Sequence, residues 1–319
     1  MILTSSVRDK IYIAGFLIGA GLLLFLGRNL LPASVLVTWG LTFGGTTSVG
    51  ILLVVLYRFR LELQASRHEI ARTEAELNFA LGVQKALFPH NFPSQGGLDF
   101  AAVCIPARGV SGDYYDVLQL PDGRLIIAIA DISGKGIPAA ILMANLQALL
   151  RALSTIGNSP LEVCRLLNHH LNQVMDDSKF ATFFYAEWQP GQRQLRYVNA
   201  GHNPPLLFGS GPAKRLSQGG IPLGIFPTYD FQMGEERLKP TDLLVLYSDG
   251  ITEAKESHEE EFGEQRLENL ITANYERSLP EIQTEILEAV KKWSGQEPED
   301  DMTLVLVRAK EDDDQVGRT

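Results

Sequence analysis

Cysteine is scarce in this chain, and the little there is lies scattered. Cys104 and Cys164 are the only two among 319 residues, with no CxxC pair and no histidine at zinc-ligand spacing. That excludes a disulfide framework and a zinc knuckle, and it fits plain core thiols in a reducing compartment. A cysteine-based phosphatase is excluded too, because the arginine of a C-x5-R loop would fall on Val110 or His170. Positive charge is short as well: 28 Lys and Arg against 38 Asp and Glu leave a net charge of -10. No basic stripe stands out beyond the arginines near the N-terminal apolar region, so no nucleic-acid partner is expected and a nuclease acting on a polyanion is disfavoured. A phosphate-cradling P-loop is also missing. Gly136 follows Lys135 where Ser or Thr is required, and Ile129 stands where the first glycine of such a loop belongs.

Beyond Tyr57 the long apolar runs stop; before it there are two. Ile11–Gly27 reads IYIAGFLIGAGLLLFLG and Val35–Tyr57 reads VLVTWGLTFGGTTSVGILLVVLY, both without a charge. With Arg28, Asn29 and Pro32 as a short link, they predict a membrane hairpin over residues 1–57, with spans at about 11–31 and 35–57. A cleaved signal peptide is the rival for the first run, but no small-x-small site precedes a polar start. Arg8 and Lys10 before the hairpin and Arg58, Arg60 and Arg67 after it place both ends in the cytoplasm. The expected location is the inner (cytoplasmic) membrane, multi-pass, with the soluble bulk in the cytoplasm. Residues 58–92 read as a helical linker in which Leu63, Ile70 and Leu77 fall seven apart and Leu81 and Leu87 prolong the apolar edge. That edge suits either a homodimer or packing on the chain's own domain. Pro89 and Pro93 end the helix.

From residue 93 to 310 the pattern is one of short strands and helices. Strands are expected at Leu98–Ile105, Tyr114–Leu120, Arg124–Ile132, Phe180–Trp188, Gln194–Asn199, Leu206–Phe208, Asp242–Tyr247 and Met302–Arg308. Helices are expected at Pro138–Leu153, Pro160–Met175, Glu264–Ala273 and Pro280–Trp293. The strands come as hairpins and two helices follow one another directly, so the class is α+β: antiparallel sheets with helices outside. The hairpin Ser111–Gly136 puts Asp113 before one strand and Asp131 at the end of the next. YSDG places Asp249 after a strand, and EDDM places Asp300 and Asp301 before the last one. Carboxylates at strand ends beside tight turns are what a hard divalent cation needs. One such end means little, whereas four converge on a metal-dependent chemistry.

These residues carry a resemblance. SGDYYD, DISGKG, AGHNPPLL, GIPLGI, YSDGITEA and EDDMTLV, in this order, resemble the motif series of the SpoIIE/RsbU-type bacterial serine phosphatases, within the metal-dependent, 2C-like (PPM) protein phosphatase superfamily. The resemblance implies an αββα sandwich with two Mn²⁺ or Mg²⁺ ions between the sheets. It also implies hydrolysis of phosphoserine or phosphothreonine by a metal-activated water on a phosphorylated protein, such as an anti-sigma-factor antagonist. Carried over by motif, Asp131 would bridge both ions with the Ile132 carbonyl assisting one, and Asp249 and Asp300 would hold the other. Asp113 would ligate directly or through water, and Asp301 would support Asp300 or a third, weaker ion. Arg108, five positions before Asp113, would be either a phosphate contact or a solvated strand-edge charge. Lys135 would be a turn residue or a substrate contact, and His202 and Asn203 loop residues or site residues. The family often has two glycines before the first aspartate, where Ser111 precedes Gly112 here; that removes no ligand. By the same resemblance the linker could act on Asp113 and the Pro138–Leu153 helix. The alternative is a catalytically inactive membrane-tethered scaffold that keeps the fold to bind a partner. The tail 311–319, with three consecutive Asp, reads as disordered charge.

Overall fold

The computed structural model describes residues 15–16, 18–22, 25–26, 32–93, 96–107, 109–176, 178–256, 260–295 and 298–311. It divides into two compact units, Met1–Glu74 and Ala75–Thr319. Most of the expected first span, 11–31, lies outside the described residues, as does the tail beyond Glu311.

Helix α1, Ala33–Lys85, is a single element of 53 residues. The apolar run Val35–Tyr57 and the charged linker are therefore continuous, with no break at Arg58. Nothing in the sequence would interrupt it, since Pro is absent between Pro32 and Pro89. In its apolar part Val49, Leu52, Leu53, Val55 and Tyr57 are all exposed. The hydroxyls there are satisfied within the helix: Thr38, Thr42 and Thr47 donate to the Ser34, Thr38 and Phe43 carbonyls at 2.9, 2.6 and 2.6 Å. A helix that keeps its polar groups to itself and its apolar side chains outside is suited to lipid. A second long apolar helix, Ile137–Thr155, has a different explanation: it buries Met143, Leu146 and Leu150 in the core of the following unit.

The second unit is built from β1 (Leu98–Ile105), β2 (Asp113–Gln119), β3 (Leu125–Ile132), α2 (Ile137–Thr155), α3 (Pro160–Val174), β4 (Ala181–Gln189), β5 (Gln194–Ala200), β6 (Leu206–Phe208), β7 (Lys214–Arg215), β8 (Gly219–Gly220), β9 (Gly234–Arg237), β10 (Leu243–Tyr247), α4 (Asp249–Thr252), α5 (Glu264–Asn274), α6 (Leu279–Ser294) and β11 (Met302–Ala309). The eight expected strands and four expected helices are all present, with ends shifted by a residue or two. The short β7, β8, β9 and α4 carry too few residues to show a period. One sheet runs β1-β11-β10-β6-β7; the other runs β2-β3-β4-β5-β8, with β9 also on β5. Pairing is antiparallel except for the two-residue β5–β8 contact.

The period-2 alternation of the strands divides the interior into three apolar layers. Along β3, Ile126, Ala128, Ala130 and Ile132 face α2 and α3, packing on Met143, Leu146, Leu167 and Leu171. The intervening Leu125, Ile127 and Ile129 face the other sheet, meeting Leu244, Leu246, Val305 and Val307. On the far side of that sheet Val245, Leu304 and Leu306 pack against Leu267, Ile271, Ile282 and Ile286 of α5 and α6. The result is an αββα sandwich. Each fully buried aliphatic side chain contributes about 1.5–3 kcal/mol of transfer free energy, and the middle layer holds the two sheets at fixed spacing.

The N-termini of the outer helices follow from local chemistry. The Ser159 hydroxyl accepts from the Glu162 amide, with Pro160 opening α3. Ser278 and Glu281 form a reciprocal capping box on α6.

Candidate active site

The same alternation that fills the middle layer aims the acids. Asp131 continues the inward row Leu125, Ile127, Ile129 by one more step, at the end of β3. Asp113 opens β2 directly opposite it, the two being cross-strand partners. On the other sheet Asp301 and Thr303 extend the inward row of Val305 and Val307 past the start of β11. Asp249 follows β10 as the first residue of α4, and Asp300 adjoins Asp301. Four chain segments from two sheets thus bring five carboxylates to one end of the sandwich.

Their ionisation records the crowding. Burial first and then the charges of Asp249, Asp300 and Asp301 push the Asp131 carboxyl up to about 7 from an ordinary 3.8. Burial and then Asp131 raise Asp113 well above the usual range, and burial and then Asp300 raise Asp249. Among the described residues no three acidic, imidazole or thiol side chains form a finished metal cage. The acids instead repel one another across the cleft while some take local partners. Asp300 pairs with the Lys135 ammonium at 2.7 Å, and Lys135 also donates to the Glu299 carbonyl at 2.9 Å.

Asp301 is held the most firmly. Its Oδ1 accepts from the Ala107 amide at 2.8 Å, and its Oδ2 accepts from the Ser111 hydroxyl at 2.9 Å and the Gly112 amide at 2.7 Å. Ser248 joins β10 to β11 at this end: its hydroxyl donates to the Asp301 carbonyl and accepts from the Thr303 amide. Two glycines let the backbones close in. A Cβ on Gly250 would lie 2.2 Å from the Asp301 carbonyl oxygen, and one on Gly112 would lie 3.1 Å from the Ile132 carbonyl oxygen.

A resident divalent metal fits this donor set. Asp113 Oδ2 is buried with no hydrogen-bond partner, and an orphaned carboxylate oxygen among other carboxylates is stable only against a cation or a proton. The Ile132 carbonyl stands beside Gly112. A cavity of about 670 Å³ lies next to the acids, lined by Lys135, Asp249 and Asp300 and by Glu253, Lys255 and Lys291.

Of the other residues singled out by sequence, Arg108 lies outside the described residues. His202 is buried, with Nδ1 2.8 Å from the Thr182 hydroxyl and its amide donating to Asn199 Oδ1 at 2.8 Å; burial pushes its imidazole down to about 4. It ties the loop after β5 to β4. Sequence reasoning noted Ser111 only as a departure from a glycine pair, and passed over Ser248 and Gln84. The signal for Gln84 was available: it stands seven residues after Leu77, at the next place in the Leu63, Ile70, Leu77 series, where an apolar residue is due.

An αββα sandwich with acids gathered at one end of its inter-sheet layer defines the class of PP2C-type phosphatases. Comparison agrees. Residues 121–310 match the family model "Stage II sporulation protein E (SpoIIE)". The chain is 34% identical over 240 residues to the phosphoserine phosphatase RsbU of Bacillus subtilis, covering 74% of this chain and 71% of RsbU. The structure of the RsbU and RsbW domains of Rv1364c from Mycobacterium tuberculosis superposes with a TM-score of 0.60 at 27% identity, over 67% of this chain and 60% of that longer one. The SiaA-PP2C domain of Pseudomonas aeruginosa shares the fold, with a TM-score of 0.64 at 19% identity over 75% of this chain and 97% of that one. The chain belongs to the SpoIIE family and carries a PP2C-type serine/threonine phosphatase domain.

Proposed function

We propose that the protein is a membrane-anchored, metal-dependent phosphatase that removes phosphate from phosphoserine or phosphothreonine on a cytoplasmic signalling protein. The observation that carries this reading is the gathering of Asp113, Asp131, Asp249, Asp300 and Asp301 from both sheets, with Asp131 pushed up to about 7 by burial and by its neighbours. Like charges are held together at that cost only where a cation is to be bound.

What two Mn²⁺ or Mg²⁺ ions supply when bound is an acidified water and positive charge against the phosphate oxygens. Asp131 would bridge the pair, with the Ile132 carbonyl assisting. Asp249 and Asp300 would hold one side, Asp113 would ligate directly or through water, and Asp301 would brace Asp300 or take a third ion. Lys135, at the rim beside Asp300, offers a cation to an incoming phosphate once Asp300 is engaged. Arg108 keeps the role of candidate phosphate contact. The adjoining cavity, with Lys255 and Lys291 on its wall, would take the peptide around the phosphorylated residue.

RsbU is named a phosphoserine phosphatase; for this chain a small phosphorylated regulator of the anti-sigma-antagonist kind is the proposed substrate class. The exposed apolar stretch of α1 supports the anchor, and exposed Leu63 and Ile70 support dimerisation through the linker. The test uses the full chain in detergent micelles with a phosphoserine peptide. Phosphate release that requires Mn²⁺ and stops with chelator is the expected result. A folded protein with no release at any Mn²⁺ concentration would favour the scaffold.

A further inference from the structure

Helix α1 has one buried residue among its described side chains, and it is a glutamine. Gln84 is 5% exposed, and both ends of its carboxamide are committed to a single residue. Nε2 donates to the Ser111 carbonyl at 2.7 Å, while Oε1 accepts from the Ser111 amide at 2.8 Å. A side-chain amide bonded both ways to one residue's backbone imitates a neighbouring strand, and it fixes that residue in position and in tilt.

Ser111 is the junction from which the acid cluster is held. Its hydroxyl donates to Asp301 Oδ2 at 2.9 Å and accepts from the Asp113 amide at 3.0 Å. The next amide, Gly112, donates to the same Asp301 oxygen at 2.7 Å, and the Gly112 carbonyl accepts from the Ile132 amide at 3.3 Å. A shift of the Ser111 peptide therefore moves a donor to Asp301, the backbone of Asp113 and the strand end that carries Asp131. If burial alone were required here, leucine would serve better, since a buried carboxamide is tolerated only when its bonds are made.

We propose that Gln84 is a positioning residue of the acid cluster: by clasping the Ser111 peptide it sets the loop that orients Asp301 and begins at Asp113. The inference deepens the phosphatase reading and rests on its metal site, with the activity as a second readout. Gln84 touches no substrate and no reacting atom; it acts through Ser111. Outer residues that orient metal-binding side chains govern affinity more than fold, and losing one costs about 10–100-fold in metal affinity.

The test measures Mn²⁺ affinity of the full chain in detergent by calorimetry, alongside Tm in chelator and kcat at saturating Mn²⁺. Gln84→Ala should weaken Mn²⁺ binding by about tenfold or more, with kcat recovering as Mn²⁺ is raised. Leu81→Ala, at a half-buried leucine about one turn away on the same helix, should lower Tm without moving the affinity. Gln84→Met keeps the length and the burial but loses both bonds to Ser111, so it should weaken Mn²⁺ in the same direction with a smaller fall in Tm than Gln84→Ala. Combined with Ser111→Ala, the effects should be less than additive, because both changes act along one chain of bonds. Wild-type affinity in Gln84→Ala overturns the proposal, as does a loss that Leu81→Ala reproduces in proportion to Tm. Where Gln84→Ala fails to fold, wild-type affinity in Gln84→Met overturns it instead. A wild-type chain that binds Mn²⁺ yet hydrolyses nothing would end the phosphatase reading while leaving this comparison decisive; one that binds no Mn²⁺ would end both.

Discussion

Asp131 is pushed up by its burial and by three neighbouring carboxylates, and its titration has a definite sign. A carboxyl whose pKa is higher folded than unfolded binds more protons in the folded state over the interval between the two values, so stability falls as pH rises through it. For Asp131 that interval runs from 3.8 to about 7, and Asp113 and Asp249 shift in the same direction. In chelator, Tm is expected to fall between pH 4 and pH 7, and Asp131→Asn should flatten the decline. A thermal melt at each pH reads both. The same physics fixes the outcome of removing a ligand: Asp131→Ala or Asp249→Ala should abolish turnover while leaving a chain that, in chelator, melts no lower than the original. Wild-type kcat in either variant would refute their assignment as ligands. These acids were legible in sequence because each sits at a strand end beside a turn. Ser111 was legible only as a departure from a glycine pair, and its hydroxyl proves to be one of the three donors on Asp301. Gln84 was not recognised, because a polar residue on an apolar edge reads as a flaw in the period until its partner 27 residues away is known.

Among the elements, strand alternation was the most readable feature and also the most consequential. The period that separates Ile126, Ala128 and Ala130 from Leu125, Ile127 and Ile129 assigns one set to the helices and the other to the opposite sheet. It also points Asp131 into the cleft. Ile129→Ala, in the inter-sheet layer two residues from Asp131, should cost about 2–5 kcal/mol, measured by urea unfolding with and without Mn²⁺. Three of the four shortest strands escaped notice, since β7, β8 and β9 are too brief for alternation to register and are set by the strands they join. The linker was foreseen as a helix but not as part of one rod with the apolar run before it. Leu63 and Ile70 are exposed on that rod while Leu77 is half-buried. Single cysteines at Leu63 and Ile70 should crosslink between chains in membranes, and more readily than one at Leu77. No crosslink at any of the three would remove the linker as a dimer seam.

At the scale of the molecule, the apolar stretch of α1 and the acid cluster belong to separate compact units, so anchoring and chemistry are expected to come apart. The full chain should stay with membranes through an alkaline carbonate wash, and a chain lacking residues 1–57 should not. Release of the full chain by that wash would refute the anchor.

The strand order carries one more consequence. The last strand among the described residues, β11, is not at an edge: it lies between β1 and β10, and Asp300 and Asp301 stand at its threshold. During synthesis β1 therefore emerges without its neighbour and must wait for some two hundred residues to follow. Contacts so distant in sequence form slowly and leave unpaired edges exposed in the meantime. Until β11 leaves the ribosome, β1 and β10 lack the strand that pairs with both, and the acids of its threshold have no place beside the others, so a nascent chain is expected to be inactive. A premature stop before β11 yields not a weaker enzyme but a sheet with its middle missing, which is a substrate for chaperones and proteases.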